Sequence, residues 1–599
     1  MNKLEIIDKI IFAWIEEENL TKDKFHKLKN EIYKTYKLQK PIATIEIIER
    51  YNFLVKNKEI KDNDEFRKVI RKRWVRSLSG VTVISLLTKE FACPGKCIYC
   101  PTFDWLPKSY IPNEPAVQRA ELNDFDPILQ IHNRLRALEI TWHKVEKNDV
   151  RIIWWTWSVY PKAYKDEFIK WIYDAFNSYD EMKDYIETTD LSTEKFASFK
   201  LKAWYWLKKS KNLEEAKKLN ETARCRIIWI AIETRPDWVT VEEIKSLREY
   251  WVTRVEIGYQ TTIDEINILN KRWHTNKESI EATYLLKNAW FKVVAHMMPN
   301  LLGSNPELDR KALHEIFDNP DFRPDELKIY PMVVTDKSEL TTIWENWWFK
   351  PYNDETLINL TVDLEEMIPE YIRLNRTYRD IPASEILAWS HISNLRQIVE
   401  EKIKQKWIKL VDIRHREIKD KWNDPINAIL NIYEYEASSW KEYFLTFEDP
   451  FDRTIFSLLR LRLPEKPPLT PPYHGENFNS SPNKGENSNS SPDKGENSNS
   501  SPDKGRSGGV SKLYSLLPEL FWATLIREIH TFWDQLSIWE IWNNFGQHIW
   551  FWKKLILEAE KITIQNWYKK MAVIAWVWVR WYYEKRWYHL EWEYMIKNL

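Results

Sequence analysis

The chain has 599 residues, enough for several domains of ordinary size. Its 89 basic and 89 acidic side chains cancel, so composition gives no global sign of nucleic-acid binding and any basic surface must be local. Four cysteines are too few for a secreted disulfide framework. With no N-terminal apolar signal region and no unbroken stretch of 18 apolar residues, we expect a cytoplasmic protein that does not enter a membrane.

Glycine and tryptophan depart furthest from ordinary composition. The chain has 11 glycines, about 2% of its residues, where ~7% is usual. It has 34 tryptophans, and the two types together number 45, close to an ordinary glycine content plus a few tryptophans. We therefore hypothesise that many tryptophans stand where the fold needs glycine, and tryptophan cannot be interpreted here as a simple aromatic signal.

The N-terminal region, residues 1–75, is rich in Lys and Glu. Its Ile, Leu, Phe and Tyr recur at helical spacing, which predicts helices. The region ends in a basic run, Arg71-Lys72-Arg73, followed by Arg76. Such a run is either a solvated helical face or a nucleic-acid contact, and the residues alone leave both interpretations open.

From Val81 onward, short β-rich runs alternate with long helical segments. The predicted strands are VTVISLL, VRII, RIIWIAI, VTRVEI, KVVAHMM and ELKIYP. This alternation is typical of a parallel α/β architecture and predicts a full or partial barrel over about residues 76–400. Residues 401–463 and 513–599 add the predicted strands EYFLTFED, TIFSLLRLRL, LIREIHTF and MAVIA and the predicted helix KKLILEAEKI.

Residues 464–512 differ in composition from everything around them. They include a ten-residue repeat of the form GENSNSSPDK that spans 475–504. A segment of Pro, Ser, Asn and Gly with almost no apolar residues cannot bury a core, so we predict a disordered linker. Because strands are predicted on both sides, we expect the linker to interrupt one domain at a hairpin instead of separating two.

Cys93, Cys97 and Cys100 form a C-x3-C-x2-C motif just after the first predicted strand. Three thiolates on one short loop can hold one iron–sulfur cluster and leave its fourth iron without a protein ligand. A radical S-adenosylmethionine enzyme needs that open iron, because the amino and carboxylate groups of its substrate coordinate there. The alternative is a zinc site completed by a distant His or by Cys225, but zinc knuckles usually pair two C-x2-C units and only one is present.

Many blocks of the chain resemble one known family. They are CPGKCIYCPT, LPKSYIPNEPAVQRA, FDPILQIHNRL, IAIETRPDWV, TRVEIGYQTT, FKVVAHMMPNL, IFDNPDFRPDELKIYP, YRDIPA and NLRQ, then LIREIHTF, QHIWFWKKLILEAEKI, VIAWVWVRWYYEKRWY and YMIK. These blocks resemble the catalytic subunit of Elongator and its bacterial and archaeal single-protein relatives, over about residues 70–460 and 513–599. The resemblance implies an α/β protein: a radical-SAM partial TIM-type barrel plus a GNAT acetyltransferase domain, with a helical N-terminal region.

The resemblance also implies an activity, the modification of the wobble uridine of tRNA. In the family's scheme, a [4Fe–4S] cluster cleaves S-adenosylmethionine to a radical that takes hydrogen from the acetyl group of acetyl-CoA. The resulting carbon radical adds to carbon five of the uracil ring, and thioester hydrolysis leaves a carboxymethyl group. The implied partner is the tRNA anticodon loop, with no membrane contact and accessory subunits left open. The alternatives are a GNAT-type protein lysine acetyltransferase and a non-catalytic RNA-binding scaffold.

The matching motifs also imply roles for individual residues. The three cysteines would be the cluster ligands, and Tyr582 and Tyr583 stand where acetyltransferases keep a tyrosine near the thioester, although either could pack an aromatic helix face. The implied acetyl-CoA contacts are Lys147, Glu528, Ile529, His530, Thr531, Phe551, Trp552, Lys553 and Tyr583. The implied S-adenosylmethionine contacts are Trp154, Trp155, Thr156 and Glu233. Since tRNA must also be held, the candidates for phosphate contact are the basic residues Arg71, Lys72, Arg73, Arg76, Arg396, Arg414 and Arg416.

One segment departs from the family. Relatives often carry cysteines in the segment between the catalytic domains, and some bind zinc there. The corresponding residues 411–417 contain no cysteine, and His415 is their only obvious soft ligand. This departure argues against a structural zinc.

The same comparison locates the missing glycines. The family has Gly-Gly-Thr at Trp154-Trp155-Thr156, and glycine at Trp273, Trp550 and Trp552. Two adjacent indoles cannot copy a Gly-Gly turn, and a Cβ before a helix blocks close approach of the coenzyme A pyrophosphate. We hypothesise that the source organism reads UGA as glycine and that the chain was translated with a code reading UGA as tryptophan. Other tryptophans at family glycines are Trp142, Trp229, Trp251, Trp290, Trp389, Trp407, Trp440, Trp567, Trp576, Trp578, Trp587 and Trp592.

Overall fold

The fold is taken from a computed structural model of the chain. It describes residues 3–17, 21–36, 42–70, 81–154, 156–183, 209–388, 395–418, 425–464, 517–532, 551–575 and 577–599. Several predicted features lie outside these residues: almost all of the repeat segment, the basic run from Arg71 to Arg76, and Trp155, Trp389, Trp550 and Trp576.

Four helices form the N-terminal region, as its sequence predicts. They are α1 (Lys3–Ile15), α2 (Lys22–Thr35), α3 (Thr44–Lys56) and α4 (Asp64–Ile70). Their apolar faces converge on a core of their own that includes Trp14, Phe25 and Tyr51. Within the described ranges, the helices are all too short or too polar to cross a lipid bilayer.

The central region contains nine strands and twelve α-helices among the described residues. The strands are β1 (Thr82–Leu87), β2 (Lys147–Ile153), β3 (Arg226–Thr234), β4 (Val252–Gln260), β5 (Lys292–Met297), β6 (Glu326–Ile329), β7 (Val334–Thr335), β8 (Arg373–Arg376) and β9 (Ile386–Ala388). The helices are α5 (Pro115–Glu121), α6 (Pro127–Ile140), α7 (Lys162–Met182), α8 (Leu213–Asn220), α9 (Val241–Glu249), α10 (Asp264–Leu269), α11 (Asn276–Asn288), α12 (Pro306–Asp318), α13 (Glu339–Glu345), α14 (Asp354–Glu366), α15 (Leu395–Gln405) and α16 (Ile413–Arg416).

Seven of these strands form one parallel sheet in the order β1-β2-β3-β4-β5-β6-β8. Because neighbours in the sheet follow one another along the chain, each crossover returns to the adjacent strand and the sheet winds in one direction. The sheet curls into a half-barrel, which confirms the predicted partial barrel. The short strands β7 and β9 pair separately.

The C-terminal region is built on a second seven-stranded sheet. Its strands are β10 (Ile429–Ala437), β11 (Trp440–Glu448), β12 (Ile455–Leu463), β13 (Ala523–Thr531), β14 (Lys570–Val573), β15 (His589–Glu591) and β16 (Tyr594–Asn598), in the order β10-β11-β12-β13-β14-β16-β15. Its helices are α17 (Phe551–Gln565) and α18 (Val577–Glu584). Strands β12 and β13 are antiparallel neighbours, so the chain leaves and re-enters one sheet on either side of the repeat segment.

A buried ion network fastens the second sheet to the half-barrel. Arg527 of β13 donates from Nη1 to Asp325, just before β6, at 3.0 Å and to Glu442 of β11 at 2.8 Å. All three side chains are at most 1% exposed. Burial opposes ionisation of Glu442, but Arg527, Lys287 and Arg462 hold its pKa well below the usual range. The network therefore keeps its charges inside the interface.

The ion pairs continue along the starts of the barrel strands. Lys292 of β5 contacts Glu528 of β13 and lies 3.2 Å from Glu326 of β6. Glu326 lies 3.5 Å from Arg254 of β4, which in turn donates to both carboxylate oxygens of Asp149 of β2 at 2.8 Å. The N-terminal ends of the half-barrel strands thus face β13, and their carboxyl ends point away from it.

Replacing Arg527 by Met should destabilise the protein by about 3–5 kcal/mol, because Asp325 and Glu442 would be left as buried carboxylates without their shared cation. Denaturant unfolding followed by circular dichroism measures the change. The control is Arg310→Met, which removes an ion pair with the partly exposed Asp363 and should cost less than about 1 kcal/mol. Equal losses for the two variants would contradict an anchoring role for the network.

Candidate active site

The cysteine loop leaves the carboxyl end of β1 and is held in place from two sides. The Ile98 amide donates to the Asn270 carbonyl at 3.3 Å, and the Leu340 amide donates to the Ile98 carbonyl at 2.8 Å. Lys108 Nζ donates to the Gly95 carbonyl at 2.6 Å. These contacts hold a loop that carries all three thiols of the predicted cluster site.

Two buried arginines, Arg235 and Arg272, lie beside the thiols. Arg272 Nη1 donates to Cys97 Sγ at 3.5 Å, while its Nη2 donates to the Gly258 carbonyl at 2.8 Å. A hydrogen bond from the Cys100 thiol, supported by the charge of Arg272, holds the pKa of Cys97 well below its usual range. The same hydrogen bond raises the pKa of Cys100. The pair therefore favours one thiolate, the form that binds metals.

The three thiols line a cavity of about 20 Å³ together with Trp154, Thr156 and Arg235. Several buried polar atoms here have no hydrogen-bond partner: Thr156 Oγ1, Arg235 Nη1, Arg272 Nε and the indole nitrogen of Trp154. Buried polar atoms are normally paired, so such a concentration is expected where a bound group completes the site. The thiols and cationic donors fit an iron–sulfur cluster, whereas the Trp154 indole occupies the space beside it.

A much larger cavity, of about 980 Å³, fills the inside of the half-barrel. Ser109 lines both cavities, so they meet at the cysteine loop. Glu233, Glu256, His296 and Lys328 project into the larger cavity from four successive strands, β3 to β6. The two cavities therefore place the thiols next to a polar chamber large enough for a nucleobase.

The pKa values of the carboxylates in this chamber are shifted in opposite directions. Burial opposes ionisation of Glu256, but contact with Lys328 and with His296, at 2.8 Å, holds its pKa well below the usual range. Burial raises the pKa of Glu233, which accepts a hydrogen bond from the Tyr110 hydroxyl at 3.2 Å. Glu256 therefore favours its ionised form, while the raised pKa of Glu233 makes it the better proton acceptor of the two.

Cations outnumber carboxylates around this chamber. Its basic lining residues are Arg119, Arg134, Arg151, Lys328, Arg376, Arg379, Arg396 and Arg414, against Glu114, Glu233, Glu256 and Asp380. Burial, followed by the charges of Arg396 and Arg373, lowers the pKa of Arg414 to about 10. A bound anion would relieve this repulsion. Arg416, in contrast, is buried and donates to Glu448 at 2.7 Å, so it stabilises the fold.

The predicted acetyl-CoA residues of β13 lie against the half-barrel. Glu528 pairs with Lys292 and Arg460, which hold its pKa at about 2 against the effect of burial. Ile529 is partly buried against the core of the second sheet. The ring of His530 contacts Trp229 and Phe532, with centroids 5.5 and 4.4 Å away, and burial lowers its pKa to about 4. Thr531 shares a hydrogen bond of 2.9 Å with Ser457, and Lys147 begins β2 at the end of the barrel that faces this strand.

The other predicted acetyl-CoA residues lie on α17 and α18. The rings of Trp552 and Tyr582 meet edge to face at 6.0 Å, and Lys553 is exposed. Phe551 packs against Phe447 in the core, and Tyr583 is fully buried between Tyr582 and Tyr588. Packing of an aromatic face therefore describes Tyr583, and its catalytic role stays a prediction. Residues 533–550, which precede α17, lie outside the described residues.

Two further predicted features have structural explanations. Asp412 caps α16 by accepting from the Arg414 amide at 3.0 Å, and it contacts His415 Nδ1. The one soft ligand of this segment, His415, therefore contacts the carboxylate of Asp412. Burial raises the pKa of the Cys225 thiol to about 12, which fits a buried, unreactive side chain.

Sequence reasoning did not single out Arg235, Arg272, His296 and Lys328 as functional. Three of them had an available signal: Arg235, His296 and Lys328 lie at or just beyond the carboxyl end of a predicted parallel strand, where ligands bind in α/β folds. Arg272 follows the short helix α10 and had no such signal. Their convergence on the two cavities could not be predicted, because the sequence does not show which side chains of each strand point into the half-barrel.

The parallel half-barrel with three thiols after its first strand defines a radical-SAM enzyme. Residues 204–315 match the Radical SAM superfamily model and residues 324–405 match the Radical_SAM C-terminal domain model. The chain is 32% identical to the tRNA uridine(34) acetyltransferase of Methanocaldococcus infernus over 99% of its length and 98% of the relative's. It therefore belongs to the tRNA uridine(34) acetyltransferase family, which includes the catalytic subunit of Elongator.

Other members show the same extent of similarity. The tRNA uridine(34) acetyltransferase of Dehalococcoides mccartyi is 33% identical over 88% of this chain and its own full length. Human Elongator complex protein 3 is 29% identical over 89% of this chain and 88% of its own. The solved structure of archaeal Methanocaldococcus infernus Elp3, with an N-terminal deletion, superposes with a TM-score of 0.64 at 30% identity, covering 87% of this chain and all of that one.

Replacing Arg272 by Met should lower the reduction potential of a reconstituted cluster, because a cationic donor to a cysteine sulfur stabilises the more negative, reduced state. Potentiometric titration followed by electron paramagnetic resonance measures the potential. Arg272→Lys keeps the charge and should give an intermediate value. Lys271→Met, in the exposed neighbour that pairs with Glu339, is the control and should match the parent protein. An unchanged potential in Arg272→Met would contradict the contact with Cys97.

Proposed function

We propose that this enzyme builds a carboxymethyl group on carbon five of the tRNA wobble uridine from acetyl-CoA by radical S-adenosylmethionine chemistry. Relatives named tRNA uridine(34) acetyltransferase match nearly the whole chain, so the modification of a tRNA uridine by an acyltransferase is the family's common activity. One observation carries the finer proposal: the thiol loop opens onto a cation-lined chamber at the carboxyl edge of the half-barrel.

In this proposal Cys93, Cys97 and Cys100 hold a [4Fe–4S] cluster. When bound, the cluster would supply the electron that cleaves S-adenosylmethionine to a 5′-deoxyadenosyl radical. Thr156 and Arg235, whose unpartnered polar atoms border the thiols, would orient the methionine portion of that cofactor.

The larger chamber would receive the uracil base, splayed from a single-stranded anticodon loop as RNA bases usually are when proteins recognise them. Glu233, whose pKa is raised by burial, would exchange a proton with the base bound in the chamber. Glu256 and Lys328, locked in an ion pair, would fix the position of Glu233. Arg396 and Arg414 would contact phosphates at the mouth of the chamber.

The second sheet would bring acetyl-CoA to the other end of the half-barrel. The first amides of α17 have no intrahelical partners, and such a helix start suits a pyrophosphate. Trp552 lies in the first turn of α17, where its ring meets that of Tyr582 on α18. Glu528 of β13 contacts Lys292 of the half-barrel. Lys147, at the start of β2, would reach the coenzyme from the barrel side.

Anaerobic reconstitution of a chain carrying Trp154→Gly and Trp552→Gly tests the proposal, because either indole would crowd a cofactor site. With iron, sulfide, S-adenosylmethionine, acetyl-CoA and tRNA, nucleoside mass spectrometry should detect 5-carboxymethyluridine at the wobble position. Cys97→Ala should abolish both the brown cluster and the product, because one of three ligands is lost. Cys225→Ala, in the buried thiol far from the cluster motif, is the matched control and should retain both. Lysine acetylation that needs no S-adenosylmethionine would instead support the lysine acetyltransferase alternative.

Replacing Arg414 by Met should weaken tRNA binding by roughly three- to tenfold and reduce the slope of log K against log salt by about 1, because one phosphate contact is lost. Filter binding across a salt series measures both quantities. Arg310→Met, a substitution outside the chamber, should leave affinity and slope unchanged. A weaker affinity with an unchanged slope would contradict a phosphate contact at Arg414.

A further inference from the structure

Left-handed backbone is concentrated at tryptophans in this chain. Among the described residues, 21 positions other than glycine have positive φ, and nine of them are tryptophan. No other residue type supplies more than three of these positions. The nine are Trp142, Trp251, Trp290, Trp347, Trp407, Trp522, Trp567, Trp587 and Trp592, with φ between 49° and 80°. A bulky side chain is strongly disfavoured in this conformation, whereas glycine adopts it freely.

Seven of the nine follow directly upon an α-helix. After α6, the Trp142 amide donates to the Glu139 carbonyl and the next amide donates to the Leu138 carbonyl. This pair of bonds is the Schellman ending, in which the left-handed residue is usually glycine. The same pair of bonds recurs at Trp290, Trp347, Trp407, Trp567 and Trp587, and Trp251 has the first bond. Trp592 opens the two-residue turn between β15 and β16, a position that also favours glycine.

Four of the seven indoles at these helix ends have little to pack against, whereas Trp142 contacts Tyr51, Trp251 donates to Glu593 and Trp290 lies in the core. Trp347 is 95% exposed, Trp407 is 92% exposed, and Trp567 and Trp587 are each 84% exposed. Trp14 shows the contrast: it lies within α1, is 1% exposed and packs edge to face on Phe25 at 5.2 Å. Tryptophan is normally among the largely buried residues, so a set of solvated indoles on strained backbone has no packing explanation.

We infer that the native protein carries glycine at these nine positions, because its UGA codons are decoded as glycine, and that Trp14 is a true tryptophan. The inference rests on backbone geometry and is independent of the proposed activity. It accounts for the shortage of glycine in the composition. It also explains why tryptophan, of all residue types, occupies the helix ends: a single reassigned codon would place one residue type at every such site.

The inference extends to the site beside the cysteines. Trp154 is 1% exposed, its indole nitrogen has no partner, and it lines the cavity of about 20 Å³ that the thiols share. Glycine at this position would remove the indole and leave space for a nucleoside next to Cys93, Cys97 and Cys100. The native site is therefore wider than the tryptophan side chain allows.

The source gene and the native protein provide the first test. The codons for the nine left-handed positions and for Trp154 should be UGA, and the codon for Trp14 should be UGG. Peptide mass spectrometry of the protein purified from its source should give the residue mass of glycine at the nine positions and of tryptophan at position 14. UGG codons or tryptophan masses at the nine positions would overturn the inference.

Melting temperatures provide the second test, on the recombinant full-length chain. Trp347→Gly, Trp407→Gly, Trp567→Gly and Trp587→Gly should each raise the Tm by about 2 °C, since the exposed indoles make few contacts and the strain is relieved. The matched alanine variants remove the same indole but stay strained, so they should give no such rise. Trp14→Gly should lower the Tm. Equal Tm values for the glycine and alanine variants would contradict the inference.

Discussion

The fold depends on one buried cation, the guanidinium of Arg527. It reaches from β13 to Asp325 of the half-barrel and to Glu442 of β11, with all three side chains out of water. In such surroundings an unpaired charge is strongly unfavourable, so the two sheets can come together only in the register that pairs these groups. The ion pairs of Lys292, Glu326 and Arg254 then extend this register across the starts of the barrel strands.

This docking determines where chemistry can take place. With the strand starts facing β13, the carboxyl ends of β1 to β6 are left to form the cysteine loop and the chamber behind it. Arg272 donates to the sulfur of Cys97. The chamber holds two carboxylates, Glu256 with a lowered pKa and Glu233 with a raised pKa.

The tryptophans change how the two ligand sites should be understood. At Trp154 the indole fills space beside the thiols, and at Trp552 it lies at the start of α17. Aromatic side chains at such places usually suggest stacking on a base or a cofactor. The left-handed tryptophans at the helix ends show instead that this residue type marks positions with the backbone demands of glycine.

The sequence by itself determined the secondary structure and the chemistry of the cysteines, because both are local. Apolar periodicity located β1 to β6, and the spacing of Cys93, Cys97 and Cys100 indicated an iron–sulfur site. The composition exposed the shortage of glycine, but only the backbone angles showed which positions require it. Tertiary structure alone decided that Arg272 contacts Cys97, that the pKa values of Glu233 and Glu256 are shifted in opposite directions, and that Tyr583 is buried. These properties arise between residues distant in sequence, through burial and charge, which no local pattern records.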